Sequence, residues 1–336
     1  MVNVAVAGVG VWGKNVVRNF HEIEKANLLF CYDPNDTSLK WVKDNYPQIK
    51  VTHEYKNILN NKKIDAVVIA TPPHTHFELA RKALEAEKHV LIEKPLTLNS
   101  KDAAGLVDLA QKKRRKIMVG HLLKYHPAVG EMKKRIENKE IGEVCYFHSQ
   151  RLSLGRVRKV ENVMWCLATH DVYIAVYLLG EYPERVSAFG KSFLQKEKGI
   201  EDVVFLNLFF KGGMFAHIHA SWFDVEKVRR LKIIGKEKMM IFDELAPFCK
   251  LKIYDRGIVV EENTVETTFS VRDGKVIIPQ IEDKQPLKEE CLHFIECLEK
   301  DKVPFTDGEE GFRVVRILEA AQASLKQGKS VKILIS

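Results

Sequence analysis

A glycine-spaced turn directly after a short apolar run constrains this chain more than any other feature. The run covers residues 2–7, and glycines follow it at positions 8, 10 and 13 in the pattern G-x-G-x-x-G. In a strand–turn–helix unit Gly8 permits the tight turn, Gly10 lets a pyrophosphate approach the backbone, and Gly13 lets the helix pack closely. Free N–H groups at the start of the helix then bind the phosphates, because the helix dipole favours negative charge there. The stretch therefore predicts a dinucleotide-binding fold.

A second apolar run supplies the residue that selects the nucleotide. This run covers residues 28–32 and ends at Asp33, about twenty residues past Gly13. A carboxylate there accepts hydrogen bonds from both ribose hydroxyls of NAD and repels the 2′-phosphate of NADP. We therefore expect NAD as the cofactor in preference to NADP.

Strands and helices alternate over residues 1–120 at the spacing of βαβ units, which predicts an N-terminal Rossmann domain with a doubly wound parallel sheet. Ligands of such sheets bind beyond the carboxyl ends of the strands. One later run ends at Thr71-Pro72, and another ends at Glu93-Lys94, where the sheet places Lys94 within reach of the nicotinamide. The predicted cofactor-binding residues are Gly8, Gly10, Val11, Trp12, Gly13, Asp33, Thr71, Pro72, His76, Glu93 and Lys94.

The pattern changes after Gly120, and residues 121–336 are predicted to form a C-terminal α+β domain built on a mainly antiparallel sheet. The predicted strands cover residues 144–153, 185–191, 203–210, 214–222, 229–235, 238–242 and 331–335, and the predicted helices cover 127–138, 168–179, 287–300 and 309–326. Such a sheet buries one face on helices and offers the other to a partner. We expect this domain to bind substrate and to form a homodimer or homotetramer.

The charge of the chain excludes some classes of partner. Its 53 basic and 45 acidic residues give a net charge of +8, but the basic residues are scattered and often stand next to acids. The densest basic run, residues 112–116, closes a predicted helix, where cations favour the C-terminal dipole. We therefore expect no nucleic-acid partner. We expect the positive field to attract an anionic nucleotide or nucleotide sugar instead.

The cysteines and the apolar pattern indicate the compartment. Six dispersed cysteines form no C-x-x-C pair, which is typical of free thiols in a reducing environment. The chain starts with a strand rather than a signal peptide, and no apolar stretch is long enough to cross a membrane. A cytoplasmic protein without a membrane partner is the prediction.

These motifs occur in an order that resembles the Gfo/Idh/MocA oxidoreductases, which include glucose–fructose oxidoreductase and inositol dehydrogenase. The matching pieces are Gly8 to Gly13, Asp33, Ala70-Thr71-Pro72-Pro73 with His76, Glu93-Lys94-Pro95, His170-Asp171, and Asp307-Gly308-Glu309-Glu310-Gly311. The resemblance implies hydride transfer between a nicotinamide cofactor and a sugar, a polyol or a related carbonyl. Residues 125–129 and 149–158, with Trp165, are similar to the UDP-N-acetylglucosamine 3-dehydrogenase branch, so the resemblance implies oxidation at C3 of a nucleotide sugar.

Two catalytic residues follow from this resemblance. A neutral imidazole accepts a proton near pH 7, so His170 is the candidate base for the substrate hydroxyl. Lys94 is the candidate donor that stabilises the developing alkoxide and helps to relay the proton. The alternatives are a core or capping histidine and a lysine that only pairs with Glu93.

The candidate substrate-binding residues lie in the predicted C-terminal domain. Tyr125 and Trp165 are predicted pocket walls, although aromatic residues are more often simply core. Arg151 and Arg156 are candidates to clamp a diphosphate, against the alternative of a solvated strand edge. Asp171, next to His170, completes the predicted set.

Two other functions stay open at the level of sequence. One is a dehydrogenase of a free sugar or polyol with the same fold and cofactor. The other is a noncatalytic NAD-binding sensor, suggested by Cys166, because the family usually has an aspartate four residues before its catalytic histidine. The pairs His74/His76 and His217/His219 have no third ligand in view, so we predict no metal site.

Overall fold

The structure, a computed structural model, describes residues 1–155, 157–262 and 267–334. The chain forms two compact units, neither of which is continuous in sequence. The first comprises Met1–Tyr125 and Lys284–Arg316, and the second comprises His126–Asp283 and Ile317–Ser336. The division into domains 1–120 and 121–336 stays a prediction, but residues 284–316 belong to the first compact unit.

The first unit is a parallel sheet covered by helices. Its strands are β1 (Val2–Ala7), β2 (Ala26–Tyr32), β3 (Lys50–Thr52), β4 (Ala66–Ile69), β5 (His89–Glu93) and β6 (Ile117–Gly120). Its helices are α1 (Gly13–Glu22), α2 (Asp36–Asn45), α3 (Lys56–Leu59), α4 (His76–Glu85), α5 (Ser100–Lys113) and, from the far end of the chain, α8 (Pro286–Glu299). The strand order β3-β2-β1-β4-β5-β6, with every pair parallel, confirms the predicted doubly wound sheet.

The apolar runs form strands because both faces of this sheet are covered. All four residues of β4 are buried, and Val4 and Val6 of β1 are fully inaccessible. Helix α8 contributes Phe294 and Ile295 to the same core, although about 290 residues separate them from β1. The first unit therefore needs the late segment of the chain to complete its core.

Side-chain caps fix the starts of two helices. The Asn99 side chain accepts a hydrogen bond from the backbone N–H of Asp102 at 2.8 Å, and Asn35 caps α2 in the same way. Proline occupies the first turn of α8, where its missing N–H costs nothing. Such local signals explain why these helix starts are predictable from sequence.

The second unit is built on a nine-stranded, mainly antiparallel sheet, as predicted. Its strands and the adjoining hairpin are β7 (Val144–Leu154), β8 (Arg185–Lys191), β9 (Val203–Phe209), β10 (Phe215–Ser221), β11 (Phe223–Gly235), β12 (Met239–Asp243), β13 (Leu251–Tyr254), β14 (Gly257–Glu262), β15 (Thr267–Arg272), β16 (Val276–Ile277) and β17 (Val331–Lys332). Its helices are α6 (Pro127–Glu137), α7 (Thr169–Leu179) and the later turns of α9 (Gly308–Gln327). The sheet order is β16-β13-β12-β11-β7-β10-β9-β8-β17, in which β7 and β10 alone run parallel.

One face of this sheet is covered and the other carries partly exposed rings. In β9 Leu206 and Leu208 are fully buried, whereas Phe205, on the opposite face, is partly exposed. The Phe205 ring stacks on His219 of β10 at a centroid distance of 4.2 Å. The face that carries Phe205, His219, Tyr146 and Phe215 is called the outward face below.

The structure corrects several strand predictions in the second unit. Strand β11 begins at Phe223 rather than at residue 229, and strands β13 to β16 were not predicted at all. The hairpin β14–β15 exposes most of its side chains, so its sequence lacks the buried alternation by which strands are recognised. The predicted final strand 331–335 ends at Lys332, and Ile335 lies outside the described residues.

Among the helices of the described residues, not one combines the length and the apolar character needed to cross a bilayer.

Candidate active site

The glycine turn after β1 has the geometry that a pyrophosphate requires. Gly8 has a φ of +95°, and a Cβ atom there would lie 2.8 Å from the carbonyl group of Ala70. A Cβ atom on Gly13 would lie 2.0 Å from the carbonyl oxygen of Gly8, so the helix start packs against the turn itself. By contrast, apart from Gly10 itself and its two chain neighbours, no described residue has an atom within 4 Å of a Cβ built on Gly10. The turn therefore leaves open space at the position where a phosphate approaches.

Asp33 is joined to this turn. Its Oδ2 atom accepts a hydrogen bond from the backbone N–H of Val9 at 2.7 Å, and its Oδ1 atom accepts one from Asn35 at 2.8 Å. Each carboxylate oxygen has a further lone pair, so both can still accept a ribose hydroxyl. The residues present therefore fit a dinucleotide, because the turn holds the acidic group at the carboxyl end of β2.

Trp12 links the glycine turn to the end of β5. The Trp12 indole N–H donates a hydrogen bond to the Glu93 carboxylate, and 40% of the Trp12 residue surface stays exposed. Burial raises the pKa of the Glu93 carboxyl, while the Trp12 hydrogen bond and the charge of Lys94 act in the opposite direction. Lys94, the next residue, is partly buried. The proposed phosphate turn and the proposed catalytic lysine thus share one hydrogen-bonded connection.

His76 connects the loops that follow β4 and β5. Its Nδ1 atom lies 2.8 Å from the Pro95 carbonyl oxygen and its Nε2 atom lies 2.9 Å from the Thr71 carbonyl oxygen. The residue is fully buried, and this burial lowers its pKa. Because both nitrogens face backbone carbonyls, the geometry supports an indirect role for His76 in place of the direct cofactor contact predicted from sequence. Thr71 accepts a hydrogen bond from the Thr75 hydroxyl at 2.7 Å.

A buried cluster at the carboxyl end of β6 was not predicted as part of the site. The His121 Nδ1 atom lies 3.0 Å from Glu310 Oε1, and the Lys124 Nζ atom lies 2.5 Å from Glu310 Oε2. Tyr125, a predicted substrate residue, donates or accepts a hydrogen bond with Thr306 at 3.2 Å and packs against Phe305. The sequence held two signals for it: His121 directly follows β6, and Glu310 lies in the motif Asp307-Gly308-Glu309-Glu310-Gly311.

In the second unit the helix start that carries His170 is held by buried ionic contacts. The Asp171 carboxylate accepts hydrogen bonds from the Ser149 hydroxyl and, at 3.0 Å, from Arg151 Nε. Arg151 also donates to Glu244 at 3.0 Å, and both side chains of the Arg151–Asp171 pair are more than nine-tenths buried. Although burial acts against the charge, Asp171 and Glu244 raise the pKa of the Arg151 guanidinium above its ordinary value.

These contacts change the interpretation of two predicted substrate residues. Arg151 was a candidate diphosphate clamp, but its guanidinium bonds two carboxylates, so it is engaged inside the unit. Asp171 is likewise occupied by Ser149 and Arg151 and acts as an anchor of α7. Arg229, which donates to Glu244 at 2.7 Å and is 38% exposed at its side chain, was not predicted.

The other described candidates of the second unit lie at or just before the start of α7. His170 is partly buried, and its Nδ1 atom lies 3.1 Å from the Tyr173 hydroxyl. Trp165 is 6% exposed and its indole N–H donates to Gln322 at 3.2 Å. Cys166 lies in a π-helical turn, Met164–Ala168, directly before α7. Arg156 lies outside the described residues.

Two family models match the chain, one for each sequence half. The first, GFO_IDH_MocA, is described as an oxidoreductase family with an NAD-binding Rossmann fold and matches residues 2–121. The second, GFO_IDH_MocA_C, is described as the C-terminal alpha/beta domain of the oxidoreductase family and matches residues 133–333. Together they account for most of the chain.

Curated relatives have different named activities. UDP-N-acetylglucosamine 3-dehydrogenase of Acidithiobacillus ferrooxidans is 30% identical over 75% of this chain and 76% of its own length. A 2,7-anhydro-N-acetylneuraminate hydratase of Escherichia coli is 26% identical over 99% of this chain and 97% of its own. A myo-inositol 2-dehydrogenase of Thermotoga maritima is 24% identical over 99% of this chain and 98% of its own length. A solved structure of the Acidithiobacillus enzyme superposes with a TM-score of 0.81 at 25% identity, covering 97% of this chain and 98% of that one.

Proposed function

Because the chain belongs to the Gfo/Idh/MocA oxidoreductase family, we propose that it is an NAD-dependent dehydrogenase that oxidises a secondary hydroxyl, at C3, of a nucleotide sugar of the UDP-N-acetylglucosamine type. The nicotinamide-binding Rossmann fold and the class of enzyme, an oxidoreductase acting on CH–OH groups, follow from the family. The choice of NAD and the substrate are the proposal.

The observation that carries the proposal is the arrangement at one edge of the parallel sheet. The open turn at Gly10, the Asp33 carboxylate and the Glu93-Lys94 segment all lie at carboxyl ends of β1, β2 and β5. This is the edge at which doubly wound sheets bind nucleotides. The Trp12–Glu93 hydrogen bond connects the phosphate-binding end of this edge with the lysine.

Oxidation of a secondary alcohol removes a proton from oxygen and a hydrogen with its electron pair from carbon. The bound nicotinamide supplies the acceptor for that hydride. Lys94 donates a hydrogen bond to the substrate oxygen and stabilises the negative charge that develops there. We assign the proton to His170: when Nδ1–H donates to the Tyr173 hydroxyl, Nε2 keeps the lone pair that a base needs.

The first experiment compares the melting temperature with NAD present and with UDP, UDP-N-acetylglucosamine, myo-inositol or glucose added. A ligand that binds the native state raises the melting temperature, and UDP alone is expected to do so only if a diphosphate site exists. An increase with inositol or glucose but not with UDP would instead identify a polyol or free-sugar dehydrogenase. An increase with NAD alone would favour a sensor.

A catalytic test uses NADH formation with the compound that binds. Lys94→Ala is expected to lower kcat by about a hundredfold or more while the Kd for NAD stays within about twofold, because one transition-state donor is lost. Lys101→Ala, an exposed lysine on α5, is the matched control. An active Lys94→Ala variant would remove Lys94 from the mechanism.

We also propose that the protein forms a homo-oligomer through the outward face and works in the cytoplasm. Phe205 stacked on His219, and Tyr146 stacked on Phe215 at 5.3 Å, give this face a partly exposed aromatic character that a second copy could cover. All six cysteines are free thiols, which supports a reducing compartment.

A further inference from the structure

His121, Lys124 and Glu310 form a buried cluster to which the proposed mechanism assigns no role. In the register between β5 and β6, Glu93 lies opposite Gly120. Lys94 and His121 are therefore the first residues beyond two neighbouring strand ends. The cluster and the proposed catalytic lysine belong to the same compact unit and to the same edge of its sheet.

The contacts within the cluster fix its protonation. An ionised carboxylate only accepts hydrogen bonds, so His121 Nδ1–H donates to Glu310 Oε1 at 3.0 Å and the Lys124 ammonium donates to Oε2 at 2.5 Å. The side chains of His121 and Lys124 are 1% and 5% exposed, so water screens these charges little. Lys124 is held further by the Phe305 carbonyl, at 3.3 Å, and by the Phe305 ring, whose centroid lies 4.0 Å away.

His121 links the cluster to Lys94, because the two residues follow neighbouring strand ends and their charges interact. Burial lowers the pKa of His121; Glu310 acts against this, and the positive charges of Lys124 and Lys94 add to it. Glu310 remains ionised, because His121 and Lys124 lower its pKa despite its burial. Since electrostatic interaction is mutual, His121 acts on the Lys94 ammonium in return. Glu93 and His76 also interact electrostatically with Lys94.

We propose that Lys124 and Glu310 are positioning residues that set the protonation of Lys94 through His121. They do so by placing a balanced ion pair beside His121. The pair adds no net charge to the site, so Lys94 can remain an ammonium donor. A Lys124 cation without Glu310 would disfavour the protonated form of Lys94, and a Glu310 carboxylate without Lys124 would favour it. The catalytic meaning of this arrangement rests on the role proposed for Lys94, whereas the electrostatic effect does not.

The test measures the protonation of Lys94 directly, without substrate or cofactor. Trace acetylation of the whole protein with acetic anhydride at a series of pH values, followed by mass spectrometry of the peptide, gives the pH at which Lys94 becomes reactive. Lys40, an exposed lysine paired with Asp44 on α2, serves as the internal reference in every sample.

Two substitutions are expected to shift the Lys94 titration in opposite directions. Glu310→Gln leaves Lys124 unbalanced and should move the midpoint to lower pH, and Lys124→Met leaves the carboxylate unbalanced and should move it to higher pH, each by about half a pH unit or more. The charge-neutral double variant Glu310→Gln/Lys124→Met should return the midpoint to within about 0.2 units of the wild type. A merely structural role predicts no shifts of opposite sign, so equal midpoints in all variants, or two shifts of the same sign, would overturn the proposal.

Two further variants keep the test decisive if a single variant fails to fold. Lys124→Arg keeps the charge and is expected to leave the midpoint unchanged, as is the double variant; a shift in either would contradict the electrostatic account. The comparison with Lys94→Ala turnover separates the two hypotheses. Opposite shifts of the Lys94 midpoint together with an active Lys94→Ala variant would retain this inference and reject the catalytic lysine. Unchanged midpoints together with an inactive Lys94→Ala variant would reject this inference and retain the catalytic lysine.

Discussion

At the scale of single residues, Glu290 of α8 has the least compensated environment among the carboxyl groups described here. It is 1% exposed, and its Oε1 atom has no hydrogen-bond partner among the described residues. Burial raises the pKa of this carboxyl well above its ordinary value, and the nearby Glu93 carboxylate adds to the effect. Two carboxyl groups in one buried region avoid sharing full negative charge, so the protonated form of Glu290 is favoured.

This protonation predicts a pH-dependent effect of Glu290→Gln. A carboxyl whose folded pKa is raised stabilises the fold fully below its unfolded value, near 4.5, and loses that contribution as the pH rises through the folded value. The amide does not titrate, so the stability of the variant relative to the wild type should increase between pH 5 and pH 8.5. Urea unfolding at both pH values measures it, with Glu289→Gln as the control; a pH-independent difference would contradict the protonated acid.

Asp33 offers a test of nucleotide choice at the same scale. Asp33→Asn keeps an oxygen that can accept from the Val9 N–H but removes the negative charge, whereas Asp33→Ala removes both. Both variants should lower the ratio of the NADP Kd to the NAD Kd by about tenfold, since repulsion of the 2′-phosphate is lost. Only the alanine variant should also destabilise the turn. Titration of protein fluorescence with each nucleotide gives the ratio, and an unchanged ratio would show that Asp33 does not face the ribose.

At the scale of elements, the glycine turn separates fold from binding. Because a Cβ atom on Gly10 meets open space, Gly10→Ala should fold normally yet raise the Kd for NAD by about tenfold or more, since the methyl group occupies the approach of the pyrophosphate. Gly105→Ala, also in open space but inside α5, should stabilise the protein by about 0.5–1 kcal/mol and leave NAD binding unchanged. Isothermal titration and urea unfolding distinguish the two effects.

The ionic contacts that hold α7 predict a second contrast between elements. Arg151→Met leaves the buried Asp171 carboxylate without its cation and leaves Glu244 with Arg229 alone, and it should lower the free energy of unfolding by about 3–5 kcal/mol. Arg230→Gln removes an exposed pair with Asp243 on the next strand and should cost less than about 1 kcal/mol. If Arg151→Met weakened UDP binding without loss of stability, the diphosphate interpretation of Arg151 would be restored.

At the scale of the whole molecule, the proposed self-association through the outward face can be tested by substitution. Phe205→Glu places a charge in its centre and should shift the sedimentation coefficient of the protein to that of a monomer. Val225→Glu, which alters a side-chain position that is 92% exposed, should leave it unchanged. A wild-type protein that is already monomeric at micromolar concentration would contradict the proposed oligomer.

The sequence revealed the parallel sheet more completely than the site. Runs such as residues 66–69 are buried on both faces and therefore apolar throughout, and the glycine turn requires conformations that few residues adopt. The contacts of Arg151 and His76 depend on partners that come from other elements, so the spacing of residues in the sequence could not identify them. Lys124 and Glu310, 186 positions apart, meet only in the folded chain.

The path of the chain between the two units also limits how this protein could be rebuilt from parts. The chain leaves the first unit after Tyr125, returns at Lys284 and leaves it again inside α9. A gene fragment that stops near residue 121 therefore encodes a sheet without Phe294 and without Glu310. Exchange of the second unit between relatives needs joints at three places, one of them within a continuous helix, so this unit is altered more easily by point substitution than by recombination.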